Sequence, residues 1–130
     1  MTRRIVLCLA IAACGGGGDD PAPADTAAAT DAPAQVATVM TVVCDGTESA
    51  TTSSEAQFAF DPPNVTISVG QVVKFISGSV HNVIPGAAPT DSGLRLPTKG
   101  ATGCLKFTAA GTFNFKCEPH PSMKGSVTVN

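Results

Sequence analysis

From Gln35 to Asn130 the apolar residues fall in short, mostly β-branched runs cut by Gly, Pro, Asn and Asp, and no stretch of useful length carries a helical period. Runs of this kind confine the region to an all-β sandwich or barrel of about seven to eight strands. Val65, Ile67 and Val69 alternate with Thr66 and Ser68, and Gly70 then turns the chain into Val72–Ile76. Gly111 separates Leu105-Lys106-Phe107 from Thr112-Phe113-Asn114-Phe115, and Val127-Thr128-Val129 closes the chain with another period-2 pattern. In the first run, Val39 to Val43, both faces are largely apolar, which predicts a fully buried strand. Residues 86–103 are expected to form a long loop, with a short helical turn near Asp91 to Leu96 as an option.

The N-terminal part is of a different kind. Arg3 and Arg4 precede an apolar run from Ile5 to Ala13, far shorter than the roughly 20 residues that span a bilayer, so residues 1–13 read as a signal peptide. Ile11-Ala12-Ala13-Cys14 resembles a bacterial lipobox. On that reading Cys14 carries acyl chains and anchors the protein to a membrane surface; the alternative is an ordinary signal with chance cysteines at positions 8 and 14. Residues 14–34 hold Gly, Ala, Pro, Asp and Thr with no large apolar side chain, as a flexible linker would. Removing Arg3 and Arg4 from the eight basic residues, and Asp19, Asp20, Asp25 and Asp31 from the ten acidic ones, leaves six of each in the 35–130 domain. A domain with no net charge has no electrostatic footprint for a phosphate backbone, which argues against nucleic-acid binding.

The scarce residue types carry the chemistry. With a total of two histidines and three methionines, one of them Met1, the segment Cys117-Glu118-Pro119-His120-Pro121-Ser122-Met123 places a thiol, an imidazole and a thioether three residues apart. His81, on another segment, supplies a second imidazole. Two imidazoles and a thiolate form a trigonal set, and a thioether adds a weak axial donor. That combination suits copper cycling between Cu(I) and Cu(II), whereas zinc has little use for methionine. Strand parity puts Phe113, Phe115 and Cys117 on one face, so the thiol points inward, and Pro119 and Pro121 stiffen the loop. The competing reading pairs Cys117 with another cysteine and leaves His120 and Met123 as surface residues.

Residues 56 to 130 resemble the small cupredoxins, the family of plastocyanin, amicyanin, pseudoazurin and azurin. The likeness lies in Phe60-Asp61-Pro62-Pro63-Asn64-Val65-Thr66-Ile67-Ser68-Val69-Gly70, in Ser79-Val80-His81-Asn82-Val83, and in the hairpin running from Thr108 through Phe113 to Gly125-Ser126-Val127. The spacing Cys117, His120, Met123 is most similar to that of amicyanin. The resemblance implies a Greek-key sandwich and one type 1 copper ion held by His81, Cys117, His120 and Met123. It also implies that Asn82 bonds the cysteine sulfur through its backbone N–H and ties the two ligand segments with its side chain. Pro119 removes a second backbone donor to the sulfur. The stretch 35 to 55 matches the family poorly. Once lipid and copper are assigned, Cys44 and Cys104 are the thiols left, and a disulfide between them is expected.

The resemblance further implies a one-electron carrier between extracytoplasmic redox partners, not an enzyme, with carriage or buffering of copper as the alternative. Electrons would leave through the edge of His120, ringed by Gly86, Ala87, Pro89, Pro119, Pro121 and Met123 as an apolar docking patch for transient partners. Export and the Cys14 lipid place an expected monomer on the periplasmic or extracellular side of a bacterial membrane.

Overall fold

The computed structural model describes residues 37–130. The expected signal peptide, the expected lipid site at Cys14 and the expected linker lie outside these residues. Among the described residues there is no helix. Eight strands are present: β1 (Val39–Val42), β2 (Ala50–Ser53), β3 (Asn64–Ile67), β4 (Val72–Ile76), β5 (Ile84–Pro85), β6 (Thr102–Phe107), β7 (Gly111–Lys116) and β8 (Lys124–Val129). They form two four-stranded sheets, in the orders β1-β6-β4-β2 and β3-β8-β7-β5. Both sheets are mixed, because β2 runs parallel to β4 and β3 parallel to β8 while the other neighbours are antiparallel. This is the all-β sandwich expected from the alternation.

The period-2 pattern gives the core directly. Val65 and Ile67 of β3, Val73 and Phe75 of β4, Leu105 and Phe107 of β6, Phe115 of β7, and Val127 and Val129 of β8 are all buried in one cluster. Their intervening neighbours face outward or sit at the margins. Phe115 lies at the centre of an aromatic group, edge-on to Phe60 at 4.9 Å and to Phe75 at 5.2 Å. Gly70, with φ at 85°, makes the turn into β4 where an L-residue would be strained.

Two expectations are corrected. The first strand is not fully buried: Val39 is inside, but Met40 is 46% exposed and Val43, just past the strand, is 88% exposed. The reason is topological, since β1 is an edge strand that pairs with β6 alone, and its outer residues meet solvent. Residues 86–103 do not run as a plain loop. Val83 and Leu96 bridge across it, Leu94 is buried, and the Asp91–Leu96 segment makes one hydrogen-bonded turn, Leu94 N–H to Asp91 C=O, without becoming a helix. The Asp91 carboxylate instead accepts locally from the Gly93 N–H at 2.8 Å and, across the chain, from the Thr38 hydroxyl at 2.8 Å.

Cys44 and Cys104 are joined, with an S–S distance of 2.03 Å. Cys104 lies on β6 opposite Val42 of β1, so the bridge fastens the chain just beyond the edge strand to its neighbour.

Candidate metal centre

Three donor atoms meet at the ends of β4 and β7. The antiparallel pair β7–β8 runs until Lys116 faces Lys124, and the ladder then extends by one bond, the Cys117 N–H donating to the Met123 C=O at 3.1 Å. The Met123 N–H donates to the His120 C=O at 2.9 Å, which folds the loop back on itself. Cys117 and Met123 are thereby brought together at the loop base and His120 is held above them. Cys117 is 0% exposed and continues the inward face of Phe115, as strand parity predicts. Met123 is buried in the same cluster.

His81 arrives from the other sheet. After β4, Gly78 accepts the His81 N–H at 2.8 Å, and the His81 C=O accepts from the Gly100 N–H at 3.1 Å, so the backbone is held on both sides. A Cβ on Gly78 would lie 2.7 Å from the Ser54 carbonyl oxygen and 3.1 Å from the His81 ring, which explains why the position needs glycine. The His81 imidazole is buried, at 4% exposure. Its pKa is held below the ordinary 6.5, mainly because burial penalises the charged ring and secondarily because of the charge on His120 beside it.

The Nδ1 atoms of His81 and His120 are 3.1 Å apart, and the Cys117 Sγ lies 3.7 Å from the first and 3.6 Å from the second. Bonds of about 2.0 Å to nitrogen and about 2.3 Å to sulfur, splayed in a plane, need N···N of about 3.5 Å and N···S of about 3.7 Å. The observed triangle therefore has the size that a single first-row ion requires, with the two nitrogens slightly closer. The donors are two imidazoles, one enclosed thiol and a neighbouring thioether, and this set fits copper better than zinc.

Asn82 links the two ligand-bearing segments. Its Oδ1 accepts the Glu118 N–H at 2.8 Å, and its Nδ2 donates to the Glu118 carboxylate at 3.1 Å and to the Pro97 C=O at 3.2 Å. Its contact with the sulfur comes from the side-chain Oδ1 at 3.8 Å rather than from the backbone N–H that the resemblance implied. Sequence reasoning did not assign a role to Glu118, which meets this amide at both its Oδ1 and its Nδ2.

The surface around His120 differs from the expected ring of apolar residues. Met123 is buried and does not belong to it. Gly86, Ala87 and Pro121 share a groove of about 390 Å³ with Lys116 and Lys124, whereas Pro89 lines a different groove with Arg95 and Phe113. Pro119 is exposed. The residue missed altogether is Phe58, an exposed ring packed against both imidazoles. It lies in the connection between β2 and β3, outside any strand, so no periodicity signalled it.

Known proteins share sequence and fold with this chain. Residues 47–130 match the family described as copper binding proteins, plastocyanin/azurin family. Plastocyanin of Scenedesmus fuscus is 34% identical over 83 residues, covering 54% of this chain and 85% of that protein. Amicyanin of Paracoccus versutus is 36% identical over 72 residues, 52% of this chain and 54% of that one. Among solved structures, a mutant of amicyanin in its reduced Cu(I) form at pH 4 superposes with a TM-score of 0.58 and 28% identity, over 72% of this chain and 99% of the other.

Proposed function

This chain belongs to the plastocyanin/azurin family of copper-binding proteins, and on that premise we propose that it is a type 1 copper protein carrying single electrons between extracytoplasmic redox partners. The observation that carries the reading is the closed triangle of His81 Nδ1, Cys117 Sγ and His120 Nδ1 beside the buried Met123. A copper ion bound there supplies the exchange of one electron between Cu(I) and Cu(II).

The protein's part is to keep the donors still and dry. His81 is fixed by backbone bonds on both sides of its own peptide. Cys117 keeps its sulfur in the apolar interior, away from oxidants. The Asn82 amide holds the two segments in register, as outer partners of metal ligands commonly do. Pro119 and Pro121 limit the backbone freedom of the loop. His120 is the ligand nearest the surface and so the natural route for electrons to a transient partner seated over Pro119, Pro121 and Gly86.

Copper carriage is the less favoured reading, because an enclosed Cys117 and a buried Met123 suit retention rather than exchange. With His81, Cys117, His120 and Met123 committed, a substrate has no ready position at the metal, and we read the protein as a carrier rather than an enzyme. Residues 1–13 as an export signal, residues 14–34 as a linker and Cys14 as the lipid attachment point complete the proposal. A Cys14→Ser variant is expected to move from the membrane fraction to the soluble one, and retention on the membrane would overturn the anchor.

The test of the function is optical. Adding Cu(II) to the purified protein should give an intense blue thiolate-to-copper band that bleaches with a mild reductant and returns on reoxidation. A folded protein with reduced Cys117 and no such band would overturn the reading.

A further inference from the structure

Phe58 is 69% exposed, yet its ring stands edge-on to both imidazoles, 5.2 Å from His81 at 88° and 4.9 Å from His120 at 84°. The two imidazoles are themselves 4.8 Å apart at 64°, so the three rings close a triangle. Metal-binding histidines usually have their second ring nitrogen hydrogen-bonded to a carboxylate or carbonyl, which orients the ring. Here, among the described residues, the hydrogen-bond contacts of both imidazoles converge on Nδ1, and neither Nε2 has a protein partner. Both rings have Phe58 packed against them instead.

The loop that carries Phe58 is built to hold it there. Ser53 and Asp61 exchange both backbone bonds, at 2.9 and 2.8 Å, and close the loop at its base, while the Thr52 hydroxyl donates to the Pro62 C=O at 2.7 Å. Ser54 ties the loop to the His81 segment: its N–H donates to the Ile76 C=O, and its Oγ accepts the Gly78 N–H at 3.3 Å. Phe60, two residues on, is buried against Phe115, whose strand runs into Cys117. Phe60 is thus anchored inside, while Phe58, earlier in the same loop, is exposed against the histidines.

We propose that Phe58 is a positioning residue of the metal centre, whose ring holds the His81 and His120 imidazoles at their mutual angle in place of the missing hydrogen bonds to Nε2. The inference rests on the copper reading above only for its metal-loaded consequences. The ring triangle is a property of the chain itself.

The test compares wild type with Phe58→Ala and Phe58→Tyr. In the metal-free protein, proton NMR should show Overhauser contacts from the Phe58 ring to both imidazoles, and Phe58→Ala should shift both histidine ring resonances while Phe58→Tyr leaves them near wild type. In the Cu(II) protein, Phe58→Ala should change the electron paramagnetic resonance signature and release copper to a chelator about tenfold faster, the scale of two lost aromatic contacts, with Phe58→Tyr restoring the wild-type rate. Unmoved histidine resonances in Phe58→Ala would overturn the proposal. So would a faster release matched by a fallen melting temperature of the metal-free variant, which would mean that Phe58 acts through the fold. If wild type takes up no copper, the copper reading fails, and the metal-free resonances still decide the role of Phe58.

Discussion

The loop Cys117–Met123 delivers a thiol, an imidazole and a thioether to the centre from one connection between β7 and β8, whereas the loop from Ser54 to Phe60 delivers a single ring from the opposite sheet. The first is tied largely within itself, Cys117 to Met123 and Met123 to His120, with Glu118 as its link to Asn82. The second is closed at its base, Ser53 to Asp61, but is also tied to the His81 segment through Ser54 to Gly78 and Ile76. A local loop places its side chains by its own spacing and backbone closure. A loop held by distant partners places its side chain only when the whole sandwich has formed, and this difference separates the three donors of the Cys117–Met123 loop from Phe58.

The sharpest way to break the ligand loop is Cys117→Ser, which removes the thiolate and should abolish the blue band entirely. Circular dichroism should show the fold intact, because the substitution is nearly isosteric. Asn82→Ala strikes the connection between segments. It leaves the Glu118 N–H without its partner at a part-buried position and should cost about 1 kcal/mol in denaturant unfolding. Copper affinity should fall by roughly 10–100-fold in chelator competition, since oriented ligands lose their support. Gly78→Ala tests the joint between the Phe58 loop and His81. Its Cβ would meet the Ser54 carbonyl at 2.7 Å, and an overpacking cost of about 1–3 kcal/mol should appear together with a changed copper spectrum.

A smaller effect distinguishes the metal-free protein. His81 has its pKa below 6.5 in the folded state because of burial first and the neighbouring His120 charge second. Above the unfolded value the ring is neutral in both states and the term is fully favourable. As pH falls from about 6.5 the unfolded chain takes the proton first, and stability declines until the folded ring also protonates. Urea midpoints of the metal-free protein should therefore drop between neutral and mildly acid pH, and a flat profile would contradict the burial of this ring. The smallest expected change is in the fold energetics of Phe58→Ala. An exposed ring outside the core should alter the metal-free stability by less than about 0.5 kcal/mol.

The fold was legible because its core is written in alternation. Val65 and Ile67, Val73 and Phe75, and Val127 and Val129 are inward at the positions that parity assigns. The site was legible where the donors are sequence neighbours, and scarcity made His81 stand out as the fourth. The burial of β1 was not legible, because an apolar strand at a sheet edge and one at its centre share the same pattern, and only pairing with β6 alone tells them apart. Leu94 and Leu96 were hidden in a stretch rich in Gly, Pro and Ser, where the Val83–Leu96 bridge is a long-range event. Met123 looked like part of a surface patch because a loop residue's depth is set by the loop's closure, here the bond from Cys117.

By itself the sequence determined the all-β class, the metal-binding chemistry and the direction of the Cys117 side chain, because residue type, spacing and strand parity are local properties. Tertiary structure alone decided that Glu118 would be the partner of Asn82 and that Phe58 would stand over both histidines. Each of these contacts joins segments whose proximity depends on how two sheets pack, and no pattern within a single strand or loop encodes that distance.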